Sequence, residues 1–409
     1  MMKTVATLIL LVVMVGCWAT PSFTRRREVV PENRMVGANL TSPELIEAYG
    51  YPVEIHHVVT EDGFILELHR IPHGLKARRN NLGEAQRVAY LHHGILGSSA
   101  DWLMNSPDEA LAYILAEEGY DVWMANARGN TYSRNHTSLN PDQAKFWQFT
   151  WDDMGQKDAT SDIDYILATT GQEQLYYVGY SMGCSIYLAM LSDNPEYADK
   201  IITGALMAPA SYMTGMKGAL TLLTPYAEEL DTILNLLGYH EFLPGGEWWD
   251  EAMQLYCDPS VVTEELCENV LFVIGGADHE EINSEYLPVI LAHFPAGTST
   301  HNLIHYAQLA NSKVFGKFDW GTIGNLNHYG QRTPPLYNLS NIVTPTALFW
   351  GQNDYLADPT DVARLASELP NLTLNHMVSK PEFSHLDFTW AIHANELVYQ
   401  YVVEYLANY

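Results

Sequence analysis

Gly179-Tyr180-Ser181-Met182-Gly183 sets a serine between two glycines where the apolar run Leu175-Tyr176-Tyr177-Val178 gives way to the helix-like Cys184-Ser185-Ile186-Tyr187-Leu188-Ala189-Met190. Strand, G-x-S-x-G, helix is the arrangement of a nucleophile elbow. Its turn is so sharp that the positions two before and two after the serine must lack side chains, and the hydroxyl then projects above the sheet edge. A serine hydroxyl is a poor nucleophile until a base takes its proton, and that base needs an acid to fix its tautomer. Asp354 and His385 follow in the order Ser, Asp, His, which suits an elbow-type site. The chemistry open to such a set is acyl transfer through a covalent serine ester.

Sixteen histidines compete for the role of base. Most serve a chain as surface or hydrogen-bonded structural groups. His385 stands apart because it follows the last strand-like stretch, in the loop Pro381-Glu382-Phe383-Ser384-His385-Leu386-Asp387-Phe388 that leads into a terminal helix. Asp354 follows the strand-like Thr346-Ala347-Leu348-Phe349-Trp350 directly, where a loop carboxylate can reach that histidine. Asp358, deeper in the loop before Pro359, and Asp387, two residues from the base, are rivals read as structural. Leu91-His92-His93-Gly94-Ile95-Leu96-Gly97 ends an early strand, where one oxyanion donor belongs. The N–H of Ile95 is assigned there, with Leu96 as the alternative, and the N–H of Met182 is the second donor. Each such donor lowers a barrier by roughly 3 kcal/mol. His92-His93 invites a metal reading, but no second ligand cluster has the spacing and cysteines are too few for zinc. No phosphate-cradling glycine loop is present either, so no metal and no cofactor are expected.

These residues need a scaffold. Ser42 to Gly50 reads as a short helix with an N-cap, a proline at its first position and a glycine stop. His57-Val58-Val59-Thr60 and Phe64 to Ile71 flank Glu61-Asp62-Gly63 as a hairpin. Val88 to Ile95, Tyr120 to Ala125, Leu175 to Val178, Ile201 to Met207 and Thr346 to Trp350 are continuous apolar runs, with helical patterns at Asp108 to Glu118 and Gln156 to Thr169. That alternation predicts an α/β fold with a mostly parallel sheet covered on both faces. The interval from about 211 to 332 breaks the rhythm. It is rich in apolar residues, among them Met213, Met216, Leu220, Leu222, Leu223, Leu236, Leu237, Trp248 and Trp249, and reads as an inserted helical cap over the C-terminal edge of the sheet. Periodicity does not separate side chains that pack the cap from those that touch substrate.

The chain has 409 residues, 47% apolar and 17% charged, enough for a large core and far from a disordered composition. Its formal charge of −28 argues against nucleic acid or an anionic membrane as the main partner, and fits export or an acidic compartment as well as plain solubility. Residues 1–19 read as a signal peptide, with Lys3 ahead of the apolar Val5 to Val15 and a cut after Ala19. A lipoprotein signal ending at Cys17 is a weaker alternative, and Arg25-Arg26-Arg27 reads as a basic tail. No later segment looks transmembrane. The remaining residues, 20–409, are read as one catalytic domain. Glycosylation sequons start at Asn39, Asn135, Asn338 and Asn371. Of the four cysteines, Cys17 lies in the signal; Cys257 and Cys267 are close enough to close a small loop worth up to about 3 kcal/mol, and Cys184 is left as a buried, inert thiol.

The blocks Tyr49-Gly50-Tyr51-Pro52-Val53-Glu54, Thr60-Glu61-Asp62-Gly63, His93-Gly94 with Ser98 to Trp102, and Gly119-Tyr120-Asp121-Val122-Trp123 stand in order along the chain. Asn126-Ala127-Arg128-Gly129-Asn130, Tyr132-Ser133-Arg134, Asp354-Tyr355-Leu356-Ala357-Asp358 and His385-Leu386-Asp387-Phe388-Thr389-Trp390 complete them. From about Pro43 to Tyr405 the chain resembles the acid lipase family of the α/β-hydrolases. The resemblance implies secreted or lysosomal hydrolysis of lipid esters at a lipid–water interface under a lid. It implies no cofactor and no obligate protein partner, and a disulfide between Cys257 and Cys267. Tyr180 and Met182 depart from the His and Gln usual in that family; the Met182 N–H survives the change, while the acyl pocket is altered. An esterase for short soluble esters, and a non-catalytic lipid-binding or storage protein on the same scaffold, are the rival readings.

Overall fold

Runs that are apolar at every position become strands covered on both faces, and runs that alternate become edges. Eight strands show this: β1 (Glu54–Val59), β2 (Phe64–Ile71), β3 (Arg87–His92), β4 (Tyr120–Met124), β5 (Leu175–Tyr180), β6 (Ile201–Met207), β7 (Thr346–Trp350) and β8 (Leu372–Met377). The fully buried strands β4 and β5 are central, whereas β1 and β8 expose alternate or most side chains and lie at the edges. The order across the sheet is β1-β2-β4-β3-β5-β6-β7-β8, with the two-residue Asn135–His136 strand added beside β2. β2 is antiparallel to both β1 and β4, and every pairing from β4 to β8 is parallel. The computed structural model describes residues 36–76, 87–222, 224–243, 275–276, 278, 280–283 and 286–409.

Helices Leu111–Glu117, Thr160–Thr170, Met182–Asp193, Pro359–Glu368 and Gln400–Ala407 flank this sheet. Several boundaries differ from the sequence reading, each for a local reason. β3 stops at His92 instead of Ile95 because the chain turns there: Gly97 N–H donates to Gly94 O at 3.1 Å and Leu96 takes a φ of 63°. β5 runs on to Tyr180, directly into the elbow. The helix expected from Gln156 starts at Trp151, capped by Thr150 and Asp153, and passes through a π-helical stretch, Met154–Ala159. At Gly155 within it, a Cβ would stand 2.9 Å from the Ile186 carbonyl oxygen, so the glycine permits close approach of the next helix. The first helix, Ser42–Ala48, is capped by Thr41 in a box with Glu44; Ser42 instead bonds the Tyr132 hydroxyl.

Between β6 and β7 the chain carries helices Ala227–Leu237, Leu287–His293, Thr300–Ser312 and Gly321–Tyr329, with Glu241–Phe242 paired to Thr298–Ser299. Helix Thr300–Ser312 seats this segment on the body: His305 stacks on the buried Trp151 with ring centres 4.0 Å apart and planes 8° from parallel. Leu223, Trp248, Trp249, Cys257 and Cys267 lie outside the described residues.

Candidate active site

Parallel strands point their carboxyl ends to one edge of the sheet, and loops leaving that edge meet over it. Ser181 leaves β5, Asp354 follows β7, His385 follows β8, and Ile95 follows β3. The elbow is built as its sequence requires. Ser181 sits at φ 52° and ψ −111°. A Cβ on Gly179 would stand 2.9 Å from the Gly183 carbonyl carbon, and one on Gly183 would collide with the His92 carbonyl oxygen. Ser181 N–H donates to Met207 O at 3.0 Å, tying the turn to the neighbouring strand.

Three side chains from three separate loops meet here, Ser181 and His385 across 204 positions. Ser181 Oγ lies 2.8 Å from His385 Nε2, and His385 Nδ1 lies 2.8 Å from Asp354 Oδ2 and 3.0 Å from Oδ1. All three residues are buried. An ionised carboxylate only accepts, so Nδ1 carries the proton and Nε2 keeps its lone pair for the serine hydroxyl. Asp354 is itself oriented, because its Oδ1 accepts the N–H groups of Leu356 and Ala357, each at 2.8 Å.

The rival carboxylates are engaged elsewhere. Asp358 caps helix Pro359–Glu368 through Thr360 N–H and pairs with Lys217 Nζ at 2.6 Å. Burial pushes its carboxyl up, but the Lys217 and Thr360 bonds outweigh that and hold it below the usual range. Asp387 accepts Ser384 N–H at 2.5 Å, bracing the base loop from beneath, and burial pushes it up to about 7.

The loop at Gly94 passes beside the serine: a Cβ on Gly94 would stand 3.2 Å from Ser181 Cβ. Neither Ile95 N–H nor Leu96 N–H has an acceptor among the described residues. Met182 opens helix Met182–Asp193, so its N–H has no acceptor within the helix. His93 holds this loop. Its Nδ1 donates to Gly94 O at 2.7 Å and its Nε2 accepts Ala127 N–H at 3.0 Å, which fixes a neutral tautomer. Burial lowers its pKa to about 4, and that of His92 to about 3. Ala296 N–H donates to Leu96 O at 2.7 Å from the segment between β6 and β7. Cys184 is free and buried one turn below the nucleophile, its Sγ 3.3 Å from the carbonyls of Gly179 and Met207, and burial pushes the thiol well up.

Sequence reasoning did not find His93 as a brace, nor the Tyr180 hydroxyl, which donates to His385 O at 2.9 Å. His93 had a visible signal in the His-Gly pair at the strand end. Tyr180 had none, since its partner is distant in sequence.

A mostly parallel sheet with an elbow serine, a buried histidine and a carboxylate at its carboxyl edge is the arrangement of the α/β-hydrolase fold. Residues 90–389 match the family described as alpha/beta hydrolase fold, and residues 42–106 match the one described as partial alpha/beta-hydrolase lipase region. Lipase 3 of Drosophila melanogaster is 42% identical over 90% of this chain and 92% of its own length. The gastric triacylglycerol lipase of Bos taurus is 39% identical over 91% of this chain and 92% of its own. A solved protein from Sulfolobus solfataricus is 17% identical, covers 87% of this chain and 94% of its own with a TM-score of 0.57, and shares the fold. The chain belongs to the α/β-hydrolase-fold lipases, a family of carboxylic ester hydrolases.

Proposed function

We propose that this chain hydrolyses the ester bonds of lipids, triacylglycerols or sterol esters, through an acyl-enzyme on Ser181. The observation that carries this reading is the His385 imidazole, in hydrogen-bond contact with Ser181 on one side and Asp354 on the other. Ser181 Oγ attacks the ester carbonyl carbon while its proton passes to His385 Nε2. Negative charge on the carbonyl oxygen is met by the N–H groups of Ile95 and Met182. The C–O bond to the alcohol breaks as that oxygen takes the proton back from Nε2. Water, deprotonated by the same nitrogen, then attacks the acyl carbon; the bond to Ser181 Oγ breaks as that oxygen takes the proton from Nε2, which frees the fatty acid and restores the serine and the imidazole. Asp354 holds the imidazole in the tautomer both halves need. No metal or cofactor enters any step.

The segment between about 211 and 332 is proposed as the cap and lid. Its leucines at 222, 236 and 237 are 62%, 85% and 41% exposed, and Tyr226 and Ile233 are exposed nearby. Helix Ala227–Leu237 buries only Ala227, which leaves its apolar side chains partly or fully open to solvent. Such a surface is unfavourable in water and stabilised against lipid. Among the described residues no helix is long and apolar enough to cross a membrane. The signal-like residues 1–19, which lie outside the described residues, and the exposed sequon residues Asn39, Asn135 and Asn338 support a secreted or lysosomal protein; Asn371 is half-buried.

The test is hydrolysis of long- and short-chain esters, above and below their solubility limits, from acid to neutral pH. Long-chain cleavage that rises once droplets form supports the lipase. Cleavage of short soluble esters alone gives the esterase reading, and no cleavage at all gives the storage reading.

A further inference from the structure

Tyr180 precedes the nucleophile and is buried, and its side chain touches three parts of the site at once. Its hydroxyl donates to the main-chain carbonyl of His385 at 2.9 Å. Its ring lies 5.3 Å from the imidazole, centre to centre. The same ring lies against the oxyanion loop, since a Cβ on Gly94 would stand 2.9 Å from Tyr180 Cε1. On the other side of the same residue, His385 N–H donates to Gly275 O at 3.1 Å. The backbone of the base is therefore held at both of its polar groups, and the elbow itself supplies one of the two holds.

We propose that Tyr180 is a positioning residue, whose hydroxyl on the His385 carbonyl sets the imidazole at hydrogen-bond distance from both Ser181 and Asp354. A base on a loop is free to drift, and β8 ends well before His385. The bond from Tyr180 spans the gap between elbow and loop, so nucleophile and base move as one unit. The imidazole must keep two contacts of 2.8 Å on opposite edges, which leaves little tolerance for a shift of the loop. Misplacement by about 1 Å costs catalysis roughly 100-fold. The Tyr180 hydroxyl bonds the His385 carbonyl and not Ser181 Oγ, so its removal should act on rate more than on substrate binding. The inference rests on Ser181 and His385 acting as nucleophile and base.

Wild type, Tyr180→Phe and Tyr180→Leu are titrated with a p-nitrophenyl phosphonate, and kcat and KM for a soluble ester are expressed per labelled serine. Counting labelled sites keeps loss of folded protein from imitating the effect. Phe removes only the hydroxyl, and its kcat and rate of phosphonylation should fall together by roughly 10-fold or more, with KM within about twofold. Leu, which also removes the ring from Gly94, should fall further. If Tyr180→Phe keeps a per-site kcat within about twofold of wild type, whatever its melting temperature and whatever Leu does, the hydroxyl does not position the base and the proposal is overturned. If wild type takes no label at Ser181, the catalytic assignment itself has failed, which is a separate result.

Discussion

At the scale of single residues, Ser181, His385 and Asp354 form one hydrogen-bonded chain, proposed to act as a unit. Ser181→Ala should lower ester hydrolysis by several orders of magnitude with the circular dichroism spectrum unchanged. Asp354→Asn should be nearly as severe, because an amide favours the wrong imidazole tautomer. Asp358→Asn should leave kcat close to wild type, since Asp358 serves a helix cap and Lys217; a crippled Asp358→Asn enzyme beside an active Asp354→Asn would reverse the assignment of the acid. Asp101 gives a pH prediction. It is buried beneath the oxyanion loop, so close to Gly97 that a Cβ there would strike its carboxylate, and burial pushes it up to about 7. In the unfolded chain it titrates near 3.9. Between these values the folded protein holds the extra proton, so stability falls as pH rises through 7. Asp101→Asn should match wild type at pH 4 and exceed it by roughly 1–3 kcal/mol at pH 8. Melting curves across that range check it, and an equal offset at both ends would contradict the titration.

At the scale of elements, the elbow depends on two absent side chains. Gly183→Ala drives a methyl into the His92 carbonyl, which belongs to the strand that leads to the oxyanion loop. Relief requires moving either the serine helix or β3, so the variant should lose roughly 3 kcal/mol or more in urea unfolding and most of its activity. A variant of wild-type stability and rate would show that the turn tolerates a Cβ. The helix below carries Cys184, whose burial and raised pKa predict very slow reaction with a thiol reagent in the native protein. Denatured but unreduced mature protein should show one thiol if Cys257 and Cys267 are bridged, and three if they are not. The central elements were legible in the sequence because burial on both faces leaves a continuous apolar run. Leu372–Met377 was passed over: it alternates as an edge strand does, but the pattern is short and Asn375-His376 interrupt it.

At the scale of the whole molecule, the exposed leucines of the segment between β6 and β7 are proposed to meet a lipid surface. A buried methylene is worth about 0.8 kcal/mol, so a few leucines shift adsorption strongly. Replacing Leu222, Leu236 and Leu237 with polar residues should reduce hydrolysis of emulsified long-chain esters at least about tenfold and leave soluble short-chain esters near wild type. Because these side chains are already exposed, melting temperature should hold. An equal fall for both substrate classes would make the leucines part of the cap core.

Order along the chain determined the class of this protein: the glycines about Ser181, the apolar runs of the parallel strands, and Asp354 and His385 placed after strand-like stretches are local patterns, and local patterns survive in one dimension. The place of Asp354 directly after a strand also favoured it over Asp358 and Asp387, but what occupies those two was not legible. The packing of β7 against β8 brings Asp354 to the imidazole, while Lys217 engages Asp358 and the Ser384 N–H engages Asp387. The same holds for Tyr180, which meets His385 across 205 positions. Hydrogen bonds across such separations follow from how strands pair, and pairing is set by the energy of the whole sheet.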